Sequence, residues 1–221
     1  MTRNAGDVVE RIASTDVGVG GDDNITGDDG NDIILGGAGS DTIHGNAGSD
    51  VVLGDSGVVV RADGSADAND IYSLSADIGG VDTIYGDDGS DIILGGALGD
   101  TLAGNAGDDI ILGDSSRVTR NAADVVERIA STDVGVGGND MITGDEGADI
   151  VLGGAANDTI HGNAGDDVLL GDSGVVVRAD GSADANDIYS VNADIGGTDT
   201  MFGDDGNDII LGGAQGDILA G

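Results

Sequence analysis

The stretch "GGAGSDTIHGNAGSDVVLGDSG", residues 36–57, decides the fold, because Gly stands at 36, 45 and 54 and Asp at 41 and 50 in a beat of nine. A helix repeats its buried face every 3.6 residues and a strand every 2, so neither produces this period. Working outward, nonapeptides fill residues 18–53, 77–112, 135–170 and 194–220, fifteen in all. Their sixth position is always Asp: Asp23, Asp32, Asp41, Asp50, Asp82, Asp91, Asp100, Asp109, Asp140, Asp149, Asp158, Asp167, Asp199, Asp208 and Asp217. The eighth is always Ile, Leu, Val or Met, and the fourth is Gly except at Leu98, Ala156 and Gln215. Six residues then make a turn, and three make a short strand whose middle side chain points inward. Two units form one coil, and neighbouring coils pair their strands in parallel about 4.8 Å apart. One unit cannot bury its apolar side alone, so the expected fold class is all-β, a solenoid of stacked two-strand coils.

Composition narrows the function. A formal net charge of −36 over 221 residues argues against nucleic acid or an anionic membrane as partner. With no Cys, disulfides and thiolate metal sites are impossible. No apolar stretch approaches membrane-spanning length, so no membrane insertion is expected. Residues 2–104 align with 119–221 at an offset of 117, with 18 differences in 103 positions. The chain therefore reads as one continuous rod, 1–221, cut from a longer array of tandem copies.

The nonapeptides resemble the RTX, or haemolysin-type, motif G-G-x-G-x-D-x-U-x, a calcium-binding repeat. The resemblance implies a parallel β-roll with calcium between adjacent turns on one edge. Calcium takes 6–8 oxygen ligands, and a glycine-rich turn offers backbone carbonyls beside the position-6 carboxylate. Turns two nonapeptides apart are stacked neighbours. This pairs Asp23 with Asp41, Asp32 with Asp50, Asp82 with Asp100, Asp91 with Asp109, Asp140 with Asp158, Asp149 with Asp167, and Asp199 with Asp217. At least seven calcium ions are expected, and seven would reduce the formal charge from −36 to −22. Metal binding and folding should then be one linked event. The alternative is a solvated acidic face whose Asp and Gly serve only the turns.

Between the blocks lie spacers at 1–17, 54–76, 113–134 and 171–193. Each is expected to form one enlarged coil, with strands near 58–62 and 70–75 in the second of them, and "DVVERIAS" is read as a strand. The loop "DGSADAND" offers a possible spacer calcium site at Asp63, Asp67 and Asp70, repeated at Asp180, Asp184 and Asp187. It resembles the start of an EF-hand loop, but Leu74 stands where the bidentate Glu belongs.

Outward strand positions 7 and 9 are apolar in second and fourth nonapeptides: Ile33/Leu35, Val51/Leu53, Ile92/Leu94, Ile110/Leu112, Ile150/Leu152, Val168/Leu170 and Ile209/Leu211. They should form a stripe along one sheet, which makes a possible assembly face. The stripe would serve self-association or another part of the parent protein, unless spacer loops fold over it. His44 and His161 fall on the opposite, polar face as exposed strand residues.

The expected function is a calcium-binding structural module of a large secreted bacterial protein, a stiff extracellular or cell-surface rod, fibre or adhesin stalk. No HExxH or GxSxG occurs, so the chain itself is not expected to be an enzyme. The alternatives are the calcium-binding part of an exported protease or lipase, or an ice- or glycan-binding face.

Overall fold

The computed structural model describes residues 1–3, 9–60, 69–121, 123–178, 187–192 and 194–221. All regular elements among them are strands, arranged in three sheets. Two are parallel and face each other as the walls of a β-roll. One holds eight strands, from Asn24–Thr26 to Ile218–Ala220, and the other seven, from Ile33–Leu35 to Ile209–Leu211.

Position 8 fills the space between these walls, as the period requires. Ile34, Ile43, Val52, Ile84, Ile93, Leu102, Ile111, Ile142, Val151, Ile160, Leu169 and Met201 form a single buried column. Each strand is too short to hold this column alone. Stability must come from stacking identical rungs, in which every inward side chain meets its counterpart above and below.

The spacers depart from expectation. A spacer filling a whole coil would place its own strand between neighbouring blocks. Instead Val51 pairs directly with Ile92, Ile110 with Ile150, and Val168 with Ile209, so the ladder runs on unbroken. The opposite wall does the same at Thr42/Thr83, Thr101/Met141 and Thr159/Thr200. The spacers form a third sheet of eight strands, antiparallel throughout, in the order Thr2–Arg3, Val9–Ala13, Gly57–Val60, Asn69–Ser73, Ser116–Arg120, Val126–Ser131, Gly174–Val177 and Ile188–Ser190. Within "DVVERIAS" the strands are thus Val9–Ala13 in the first copy and Val126–Ser131 in the second.

This hairpin sheet lies on the apolar stripe, which corrects the expectation of an assembly face. Leu53, Leu94, Ile110, Leu112, Ile150, Leu152 and Leu170 are buried in a second core with Val59, Ile71, Val118, Ile129 and Val176 of the hairpins. Ile33, Leu35, Val51, Ile92, Val168 and Leu211 pack partly buried against it, and Ile209 at the end of the wall is 46% exposed. The cause is simple: Val59, Ile71, Val118, Ile129 and Val176 give the hairpin sheet an apolar side, and that side has to be covered by something. The stripe is the surface that covers it. All seven basic residues are arginines in the spacers.

Candidate calcium ladders

The geometry of the turns shows where each spacer enters. In a regular turn, a β-carbon on the position-1 glycine would meet the Oδ2 of the Asp five residues later and the carbonyl oxygen of the position-1 glycine one rung further along the same edge. At Gly36 these are Asp41 and Gly54, leaving no room for a β-carbon. At Gly54 they are Asp82 and Gly95, although 28 positions separate it from that Asp. At Gly113 they are Asp140 and Gly153, and at Gly171 Asp199 and Gly212. Gly54 and Asp55 are therefore positions 1 and 2 of a nonapeptide that resumes at Gly79. The hairpin is inserted between positions 2 and 3, and the same holds at Asp114/Gly137 and Asp172/Gly196. Asp77–Ile78, Gly135–Val136 and Asp194–Ile195 are not the opening residues of those turns.

With the split turns restored, the position-6 aspartates form two uninterrupted columns, one on each edge of the roll. On the first, Oδ1 of each Asp accepts the backbone N–H of the Asp one rung earlier, through Asp23, Asp41, Asp82, Asp100, Asp140, Asp158, Asp199 and Asp217. The second runs Asp32, Asp50, Asp91, Asp109, Asp149, Asp167 and Asp208. These bonds measure 2.7–3.0 Å. The seven pairs expected from sequence are all brought together. Six further neighbours across the insertions, such as Asp41/Asp82 and Asp109/Asp149, are brought together as well.

The second carboxylate oxygen carries the chemistry. Oδ2 is buried with no hydrogen-bond partner in thirteen of the fifteen position-6 aspartates, all but the terminal Asp23 and Asp217. A buried ionised oxygen without a partner costs several kcal/mol, so each of these demands a proton or a cation. Burial raises Asp82, Asp91 and Asp199 to about 6, and Asp140 and Asp149 to about 7. Burial, reinforced by repulsion from ladder neighbours, raises Asp109 to about 8, Asp158 to about 9 and Asp100 to about 10. Asp41, Asp50 and Asp167 are raised for the same main reason.

The donor set fits calcium. It is all oxygen, each rung supplying one carboxylate and glycine carbonyls close to its Oδ2. An ion between rungs would share the carboxylates of neighbouring aspartates and draw on the adjacent glycine carbonyls.

Elsewhere the site expectations fare differently. Asp63, Asp67, Asp180 and Asp184 of the possible spacer site lie outside the described residues. Asp70 is buried and ion-paired with Arg117 at 3.2 Å, and Arg117 also lies over the Tyr72 ring. Asp187 is exposed. On the polar face, His44 stacks on Tyr85 with Nδ1 3.1 Å from Asp87, and His161 stacks on Phe202 with Nδ1 3.2 Å from Asp204.

Three buried carboxylates escaped the sequence reading: Asp55, Asp114 and Asp172. Each accepts two backbone N–H groups, from Gly80 and Ala97, Gly138 and Ala155, and Gly197 and Ala214 respectively. Burial raises Asp55 to about 7 and Asp114 to about 8. The recurring "GD" before each spacer and "GG" after it was the available signal, since together they rebuild one nonapeptide.

No curated protein matches the chain. A family model of the RTX calcium-binding nonapeptide repeat, four copies long, matches residues 17–52, 79–102, 94–117, 143–175 and 195–221, more than half of the sequence. The chain belongs to the RTX calcium-binding nonapeptide repeat family.

Proposed function

We propose that this chain is a calcium-stiffened structural segment of a large secreted bacterial protein, a rod or stalk that folds where calcium is abundant. The observation that carries this reading is the pair of unbroken aspartate columns, with thirteen buried, unpartnered Oδ2 atoms facing a glycine-lined backbone. Inside a roll without metal these carboxylates could ionise only against burial and mutual repulsion. Calcium bound between rungs neutralises them and crosslinks neighbouring coils, so binding and folding become one event. The role is mechanical and binding, not catalytic.

The hairpin sheet covers the apolar stripe, so the rod acts as a single elongated particle. Calcium titration of metal-free chain, followed by far-UV circular dichroism and small-angle X-ray scattering, tests this. The expected result is a cooperative gain of β signal with conversion to an elongated monomer, reversed by a chelator. Absence of calcium binding at millimolar concentration would overturn the reading.

A further inference from the structure

The first edge of the roll does not treat all its gaps alike. Asp55, 3% exposed, accepts the N–H of Gly80 at position 4 of its own split turn and the N–H of Ala97 at position 3 of the next turn. Asp114 joins Gly138 to Ala155, and Asp172 joins Gly197 to Ala214, in the same manner. In each case the chain's own carboxylate straddles the gap between two rungs, and amide donors converge on it. Converging N–H groups form an anion site, the opposite of what a cation requires.

The backbone responds. On the second edge, position 2 is left-handed with φ of 66–74°, while position 4 is a glycine with φ of 123–156°. In the three turns resting on Asp55, Asp114 and Asp172 this order is exchanged. Position 2 is Gly96, Gly154 or Gly213 with φ of 106–124°, and position 4 is Leu98, Ala156 or Gln215 with φ of 69–73°. L residues tolerate the second range but not the first, which explains why a side chain is accommodated at position 4 in these three turns. The turn 36–41 rests on no such carboxylate among the described residues; there position 2 is Gly37 with φ of 110°, as in the three turns, but position 4 is Gly39 with φ of 122°, so it is position 4 that tracks the carboxylate.

We propose that the gaps Asp82/Asp100, Asp140/Asp158 and Asp199/Asp217 are locked by the position-2 aspartates Asp55, Asp114 and Asp172 of the split turns and take no calcium. Calcium is confined to the six gaps of the second edge and the four unlocked gaps of the first. This rests on the proposed calcium function and assigns its distribution. In the folded chain the locks join each hairpin's two ends to the roll through backbone hydrogen bonds instead of metal.

The test is a crystal structure of the calcium-loaded full chain with anomalous scattering, which locates each ion. Ions in the unlocked gaps and none in the three locked ones are expected. An ion between Asp82 and Asp100, or at either equivalent gap, overturns the lock while leaving the calcium function standing. Calcium at no gap overturns the function and the lock together. As a second measurement, the triple variant Asp55→Asn, Asp114→Asn, Asp172→Asn should bind as many calcium ions as the parent chain. Its thermal midpoint should fall by about 5 °C or more, because each Asn leaves one amide without its acceptor. Loss of three ions from that variant would show the aspartates to be ligands and refute the lock.

Discussion

Removing calcium should invert the pH dependence of stability. In the metal-free roll eleven position-6 carboxyls, those of Asp41, Asp50, Asp82, Asp91, Asp100, Asp109, Asp140, Asp149, Asp158, Asp167 and Asp199, have folded values above the ordinary 3.8, so at these groups the native state binds protons more tightly than the unfolded chain. Their contribution is complete below the unfolded value and is lost as pH rises through about 6 for Asp82, Asp91 and Asp199, about 7 for Asp140 and Asp149, and on to about 10 for Asp100. Raising one carboxyl from 3.8 to about 7, as at the fully enclosed Asp140, withdraws about 4 kcal/mol above that pH. Whole domains are stable by only about 5–15 kcal/mol, so a few such groups suffice to unfold the roll at neutral pH.

With calcium bound the sign reverses. The ion holds the carboxylates ionised, their folded values fall below 3.8, and stability is lost on acidification as protons displace the metal. Urea unfolding by circular dichroism at about pH 7.5 and about pH 5, with and without calcium, resolves the two regimes. Chelated chain should gain stability on going to the lower pH, and calcium-loaded chain should lose it. A chelated chain whose urea midpoint stays constant or falls on acidification would refute the argument from buried carboxylates.

Three further perturbations follow from single sites. Gly89→Ala places a β-carbon against the carbonyl of Gly48 at a φ of 140°, and should cost about 1–3 kcal/mol in urea unfolding, whereas Leu98→Gly, at a φ of 69°, should cost about 1 kcal/mol or less. Ile129→Ala cuts into the core between hairpins and roll. It should cost about 2–5 kcal/mol and, by loosening the cover over the Leu112 and Leu152 stripe, produce association visible by light scattering. Asp91→Asn keeps an acceptor for the Asp50 amide but removes the charge shared by the Asp50 and Asp109 gaps, so the bound calcium measured by equilibrium dialysis should fall by two ions.

The inward core residues and the seven aspartate pairs within blocks were legible because the nine-residue beat is stated fifteen times, and each statement fixes an inward residue and a turn carboxylate. The hairpin strands were legible from β-branched runs such as "GVVV" at 57–60, though the identity of their partners was not. Alternation shows that a strand has one apolar side but does not say which surface covers it. The split turn was hidden for a different reason. Its halves, Gly54–Asp55 and Gly79–Asp82, are 23 residues apart, and only the stacking of Gly54 on Asp82 and Gly95 unites them.

The lengths of the pieces obey one constraint. Each block of four nonapeptides adds two strands to one roll wall and two to the other, apart from the fourth block, whose three nonapeptides add a single strand to the second wall. Each spacer adds two strands to the hairpin sheet. Strands in hydrogen-bonded sheets stand about 4.8 Å apart whether parallel or antiparallel, so the three sheets advance equally along the rod, by about 10 Å per unit. A spacer with one strand, or a block with one extra coil, would move the hairpin sheet out of step with the stripe it covers. It would expose Leu53, Leu94 or their counterparts progressively down the array. The unit of two coils and one hairpin is the smallest in which an antiparallel hairpin, whose ends return to the same edge, keeps pace with a parallel roll. For this reason the insertion recurs at every fourth nonapeptide and always on the first edge.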